Sequence, residues 1–371
     1  FKAIGNGSFK EDMAAATGSV VGGELSAEIA SLTGQDVDKW RSRGQLVSGF
    51  GAAMFYSSVA RKNFLEGNLP DSSTLQGASD VIYESLKAGG LVLNKNQQKS
   101  LFKNLNNFST IVGIGGGQSL DMAKYFAWKS GVKLFQVPTS MSVNATFGHR
   151  AAIRINSNVS YVGWTVPEAV YIDYDIIKEA PKEFNRSGIC EIMCYHTAHL
   201  DWKYATKVGK CEKKWPYDQS AVNEAQSVLD YMLKGIDDIK EVNDNGIKRL
   251  MNANAWGGAA FHNFGWNPRP IEGTDHFVFY SLEYHTKRPY IHGQPVNFGV
   301  YLGSLLHETK AEEMFDYILR AGVDIRPEAM GITWDDMSNA LINMKDYVNK
   351  IGLWHSIVHD LSLIHIPSPR D

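Results

Sequence analysis

Thr110-Ile-Val-Gly-Ile-Gly-Gly-Gly-Gln-Ser-Leu-Asp-Met-Ala-Lys124 is the stretch that decides the fold class. Its first five residues, Thr110-Ile-Val-Gly-Ile114, form the short apolar run expected of a buried strand. Gly115-Gly-Gly117 interrupts that run, and from Ser119 through Trp128 the pattern becomes helical. A glycine turn opening onto a helix N-terminus leaves backbone N–H groups exposed at the positive end of the helix, an arrangement suited to a pyrophosphate. A plain tight turn would use the same glycines. Asp121, in the first turn of the helix, and Lys124, one turn further on the same face, favour the binding reading. Gly115, Gly116, Gly117, Ser119, Asp121 and Lys124 are therefore candidate cofactor contacts.

Outward from this segment, Lys133-Leu-Phe-Gln-Val137 reads as a second strand that stops at Pro138. Pro138-Thr-Ser-Met-Ser142 then supplies hydroxyls, with Thr139 and Ser142 as candidates, at the carboxyl edge where such sheets bind nucleotides. Ala169-Val-Tyr-Ile-Asp173 reads as a further strand, and the succession strand, glycine turn, helix, strand is the unit of a Rossmann-like parallel sheet. Upstream the signals thin out, leaving a helix expected over residues 80–88 and a strand over 90–93. Beyond about residue 180 strand signals cease, and helical patterns run over 189–205, 221–239, 247–261 and 311–321. The expected organisation is an α/β nucleotide-binding domain over residues 1–180, with 1–75 its least readable part, followed by an all-α metal-binding domain over 181–360. Residues 361–371 resemble the translation of a transposase adapter used in DNA sequencing libraries, so that segment is set aside and His365 is not counted as a ligand.

The helical half carries the metal signal. His276, in Gly273-Thr-Asp-His276, and His292, in His292-Gly-Gln-Pro-Val296, stand sixteen positions apart (292 minus 276) in apolar surroundings. Glu191 lies near the start of a mostly apolar helix, where a carboxylate is costly unless paired or metal-bound. Two imidazoles and one carboxylate make a three-ligand divalent site with a position open to a substrate oxygen. The plainer readings are hydrogen-bonded core histidines and a carboxylate favoured by the helix dipole. Gly293 permits close backbone approach, and Asp275 or Glu283 could orient a ligand from behind. His196 and His199 compete as ligands, but His196 lies about 140° round the helix from Glu191 and His199 is two turns away.

Composition narrows the class. The 371 residues, 44% of them hydrophobic, suffice for two domains, and a net charge of −3 gives no general attraction to nucleic acid or anionic lipid. No apolar run approaches the roughly 20 residues needed to cross a bilayer, and no charged-then-apolar leader opens the chain. Cys190, Cys194 and Cys211 form no CxxC pair, which argues against a disulfide framework or thiolate zinc site and suits a cytoplasmic protein.

Taken together, residues 105–360 resemble the superfamily of iron-containing alcohol dehydrogenases, glycerol dehydrogenase, glycerol-1-phosphate dehydrogenase and 3-dehydroquinate synthase. Gly115 through Lys124 looks like its GGGSxxDxAK cofactor loop, with Gln118 where serine is frequent; Pro138 through Ser142 looks like its PTxxS nicotinamide segment. Tyr171 through Pro181 is similar to its interdomain link, and the segments ending in Glu191, His276 and beginning at His292 fall at its three metal-ligand positions. Asp201-Trp-Lys-Tyr-Ala205 and Arg269-Pro-Ile-Glu-Gly-Thr-Asp-His276 resemble the DWKxA and RPxxGxEH patterns of the glycerol-phosphate branch.

The resemblance implies a dehydroquinate synthase-like fold and an NAD- or NADP-linked enzyme transferring hydride to or from a small polyol or polyol phosphate. It also implies a divalent metal, zinc by preference because Tyr195 replaces the extra histidine of the iron enzymes. Asn144 and Arg269 are the implied substrate contacts, Arg269 being suited to a phosphate. A homo-oligomer is compatible with this reading; nucleic-acid partners and membrane insertion are not expected. Two departures stand out: the position held by Asp in glycerol-phosphate dehydrogenases is Glu191 here, and the cyclases likewise have Glu there; and Asn144 replaces an expected Asp. A sugar-phosphate cyclase is therefore the alternative activity, and a degenerate homologue the non-catalytic one.

Overall fold

In β1 (Thr110–Gly115) half-buried and buried residues alternate, and α1 (Gly117–Ser130) follows with one intervening residue. The computed structural model describes residues 109–155, 158–263 and 267–360; the helix expected over 80–88, the strand over 90–93 and the segment 361–371 lie outside them. β1 pairs in parallel with β2 (Lys133–Pro138), in register from Thr110 opposite Lys133 to Gly115 opposite Pro138. A core of Ile111, Leu134, Met122, Ala123 and Phe126 joins the sheet to α1, each large apolar side chain contributing about 1.5–3 kcal/mol. Gly113 allows that contact, since a Cβ there would lie 2.6 Å from the Cβ of Ala123. Gly131, at φ 64°, ends α1 with a left-handed cap that only glycine adopts cheaply.

β3 (Ala151–Ile155) and β4 (Asn158–Val162) form a separate two-stranded sheet that the sequence pattern, interrupted by Arg154, Asn158 and Ser160, does not announce. β5 (Ala169–Val170) adds to the free side of β2, giving a parallel sheet of order β1-β2-β5. The strand expected to reach Asp173 is cut short because the chain leaves the ladder after Tyr171, whose N–H donates to the Gln136 carbonyl at 2.8 Å, and turns into α2 (Tyr174–Glu179). The parallel α/β half expected from the glycine segment is thus present.

Contacts divide the chain into two compact units. Of the described residues, one unit comprises 109–139 together with His149–Arg154 and 160–173; the other comprises Ser140–Gly148, Ile155, 158–159 and those from Tyr174 to 360. From Tyr174 the described residues hold helices and turns and no strand. After α2 come α3 (Lys182–Ser187), α4 (Cys190–Lys207), α5 (Gln219–Leu233), α6 (Ile236–Glu241) and α7 (Asp244–Asn263). They are followed by α8 (Thr274–Thr286), α9 (Gly293–Leu306), α10 (Ala311–Arg320), α11 (Trp334–Ile342) and α12 (Met344–Ile351). α4 is buried at every residue from Cys190 to Ala198 and α8 at every residue from Thr274 to Glu283, so these two helices run through the core, with α9 packed on both.

The single helix expected over 221–239 is two. Gly235 separates α5 from α6 and lies under Arg249, whose Cδ would be 2.2 Å from a Cβ at that position. The apolar period continues across the break, which is why the pattern alone conceals it. α7 begins three residues before the expected Ile247 because Asn243 acts as its cap, with Oδ1 accepting the Gly246 N–H at 3.0 Å. None of the helices among the described residues is long and apolar enough to cross a membrane.

Candidate metal centre

The glycine turn is built as its sequence requires. Gly115 has φ 142°, outside the range of other residues, and its carbonyl accepts the Thr139 N–H at 3.0 Å, so the ends of β1 and β2 are tied together. Gly116 stands at the N-cap with no side chain over the first turn of α1, leaving N–H groups there free of helical partners by helix geometry. Ser119 lies in that turn, its Oγ 2.7 Å from where a Gly115 Cβ would sit. Asp121 and Lys124 are different. They form a buried 2.8 Å ion pair, and Lys124 Nζ donates to the Arg150 carbonyl at 2.8 Å, so their contacts brace this unit internally. In the following segment the Ser142 hydroxyl hydrogen-bonds that of Ser140 at 3.1 Å.

In the helical unit, Glu191, His276 and His292 arrive from α4, α8 and the residue preceding α9. His292 Nε2 is 3.0 Å from Glu191 Oε1, and the rings of His276 and His292 are 5.3 Å apart between centroids. Glycines set these approaches. A Cβ on Gly293 would lie 2.0 Å from the Ser187 carbonyl oxygen, and one on Gly188 would lie 1.7 Å from that of Met141. The edge of Phe279 meets His292 at 4.4 Å and 89°, limiting the ring's rotation. Cys190 comes within 4.8 Å of the Glu191 and His292 ligand atoms, as does Cys194 of those of Asp275 and His276. Burial, then neighbouring carboxylates, push both thiols well up, and Cys194 already donates to the Ile271 carbonyl at 2.9 Å. They are packing residues.

Asp275 orients His276. Its Oδ1 accepts from His276 Nδ1 at 2.6 Å and from the His276 N–H at 2.8 Å, while Thr197 Oγ1 donates to Oδ2 at 2.6 Å. With Nδ1–H committed to Asp275, Nε2 is the imidazole nitrogen left for a ligand. Burial lowers the His276 pKa, but Glu272, Asp275 and Glu191 outweigh it and hold the group at about 9. Burial likewise raises the Glu191 carboxyl, and His292, His276 and the Asn144 backbone N–H together pull it below its ordinary value. A region that draws a proton this strongly has an excess of negative field, the condition a divalent cation satisfies. The potential ligand atoms of Glu191 and His292 fall in one cluster and that of His276 in a neighbouring one; as donor types, two imidazoles and a carboxylate suit zinc or iron(II).

Asn144 belongs to this site: it opens a 3-10 turn (Asn144–Thr146) and reaches Glu191 through its backbone. Arg269 is 0% exposed; its Nε and Nη2 hold Glu212 Oε2 at 3.0 and 2.7 Å, and its Nη1 donates to the His355 carbonyl at 2.5 Å. These bonds brace the fold around it. His196 and His199 turn away from the centre, His196 Nε2 to the Thr309 carbonyl at 3.2 Å and His199 Nδ1 to the Tyr195 carbonyl at 2.7 Å.

Sequence reasoning missed Asp201 as a structural hub. Buried on α4, it accepts the Thr274 N–H at 2.6 Å, the Ile357 N–H at 3.0 Å and His307 Nε2 at 3.0 Å, thereby anchoring the start of α8 two residues before His276. The DWKxA pattern was its only signal. Tyr195 was noticed only as an absent histidine; it is 1% exposed, burial, then Cys194 and Glu191, push its phenol well up, and its hydroxyl has no hydrogen-bond partner among the described residues.

Known proteins resemble this chain in sequence and in fold. Residues 74–181 match the iron-containing alcohol dehydrogenase family. Glycerol-1-phosphate dehydrogenase [NAD(P)+] of Methanothermobacter thermautotrophicus is 26% identical over 276 residues, 72% of this chain and 78% of that one. The enzyme of the same name from Methanosarcina acetivorans is 27% identical over 60% of this chain and 61% of its own length. Among solved structures, a probable glycerol dehydrogenase from Sinorhizobium meliloti aligns with TM-score 0.57 at 17% identity, covering 72% of this chain and 76% of that one. Glycerol dehydrogenase from Schizosaccharomyces pombe aligns with TM-score 0.54 at 17% identity, covering 72% and 69%. At that identity the two structures speak for the fold, and the fold is the one the motifs implied.

Proposed function

We propose that this chain, a relative of the iron-containing alcohol dehydrogenases, is a metal-dependent NAD(P)-linked dehydrogenase of a small polyol phosphate, of the glycerol-1-phosphate dehydrogenase kind. The observation that carries the reading is the 3.0 Å contact of Glu191 with His292, next to which the Asp275-oriented His276 ring stands 5.3 Å from that of His292. Glu191, His276 and His292 would hold the metal, which when bound withdraws electron density from the substrate's carbonyl or hydroxyl oxygen. A bound nicotinamide cofactor would supply or accept the hydride. The backbone of Gly115–Gly117 suits the pyrophosphate, with Ser119 beside it and Thr139 and Ser142 toward the nicotinamide end. Asn144, whose backbone hydrogen-bonds Glu191, would meet substrate through its side-chain amide.

A sugar-phosphate cyclase remains the second reading because Glu191, rather than Asp, supplies the carboxylate. One assay separates the two. Dihydroxyacetone phosphate with NADH or NADPH and zinc should lose reduced-nicotinamide absorbance in proportion to substrate. Phosphate release from a sugar phosphate with no net change in NADH would instead establish the cyclase.

A further inference from the structure

Tyr195 carries a polar group that the fold itself does not use. The residue lies four positions after Glu191 on α4, one turn along the same face. Its ring packs edge-on against Trp256 at 5.3 Å and 61°, and its hydroxyl is directed at the backbone of Gly257 on α7. A Cβ at Gly257 would stand 2.2 Å from that hydroxyl and 3.8 Å from Asn144 Nδ2, so phenol and amide converge on one glycine. The Asn144 backbone in turn donates to Glu191, which places the convergence beside the metal centre. At 1% exposure the hydroxyl has no partner among the described residues. Phenylalanine would pack equally well without an unsatisfied buried donor, so the hydroxyl destabilises the free protein relative to that simpler choice. One turn earlier on α7, Asn254 is fully buried with both amide atoms likewise unpartnered.

We infer that the Tyr195 hydroxyl is a substrate contact that, with the Asn144 amide, binds the free hydroxyl on the carbon next to the reacting one, selecting polyols over substrates that lack it. This rests on the dehydrogenase reading above. The groups that meet at Gly257 are neutral, matching an uncharged hydroxyl that both donates and accepts; a phosphate would call for cations. A site built to hydrogen-bond a hydroxyl discriminates strongly against an analogue without one, because its own polar groups are then left unpaired.

The test compares dihydroxyacetone phosphate with hydroxyacetone phosphate, which lacks that hydroxyl, in zinc-loaded wild type, Tyr195→Phe and Gly257→Ala. Wild type should prefer dihydroxyacetone phosphate in kcat/KM. Tyr195→Phe should narrow that preference at least tenfold, by weakening only the hydroxylated substrate, with metal content unchanged and the thermal midpoint of the free protein equal or higher. Gly257→Ala, which displaces the hydroxyl without removing it, should narrow the same preference. A preference that survives in both variants, a parallel loss on both substrates, or loss of metal from Tyr195→Phe overturns the assignment. A wild type that turns over neither ketone with either cofactor instead removes the dehydrogenase reading, and this inference with it.

Discussion

Asp275 and Arg269 show how differently two buried charged residues serve the same region. Asp275 accepts four hydrogen bonds, two of them from His276, so its role is to hold one imidazole in one tautomer. Asp275→Asn keeps the shape and removes the charge; we expect metal affinity to fall about 10- to 100-fold, measured by competition with a chelating dye. His292→Ala should abolish both bound metal and hydride transfer, and retention of either would show that the ligand set is misassigned. Arg269 depends on Glu212, fifty-seven residues away in sequence. Glu212→Ala leaves a fully buried guanidinium uncompensated, and should cost about 3 kcal/mol in urea unfolding, the lower end for a buried pair because Glu212 itself is 26% exposed. Glu191, His276 and His292 were readable because polar groups inside apolar helices demand an explanation. The Arg269–Glu212 pair was not, since a sequence shows a charge without its partner.

At the scale of elements, the centre depends on how closely helix ends approach other backbone. Gly188, two residues before the start of α4, leaves 1.7 Å between a notional Cβ and the Met141 carbonyl oxygen, and neither backbone can yield as a side chain would. Gly188→Ala should therefore shift the first turn of α4, including Glu191, and lower metal occupancy in the purified protein even where the helix content by circular dichroism is unchanged. Helix existence was legible where one face is polar, as in α5 and α10. α8, which carries His276, was seen only as a short apolar stretch, because a helix buried along nearly its whole length has no amphipathic period to read. The break at Gly235 escaped for the converse reason, the period continuing through it.

For the whole molecule, the clearest pH dependence away from the metal centre comes from His196. Burial holds it down at about 4, with the Thr309 carbonyl opposing only in part. Between its ordinary 6.5 and about 4 the unfolded chain binds a proton that the folded one does not. Its contribution is thus fully present above pH 6.5, is lost as pH falls through that window, and changes no further below it, a loss on the order of 2–3 kcal/mol. His196→Gln should flatten urea-unfolding stability across that window; an unaltered slope would mean that another group governs it. The amino-acid sequence by itself determined the α/β-then-helical order, the glycine turn and the identities of the three metal-ligand candidates, because periodicity, backbone freedom and the cost of burying charge are local properties. Which charges serve ligands and which serve the fold was decided only by the tertiary structure. That choice depends on what each buried donor or acceptor meets: Asp275 meets an imidazole, Arg269 meets Glu212, Asp201 meets the start of α8, and the Tyr195 hydroxyl meets no partner among the described residues.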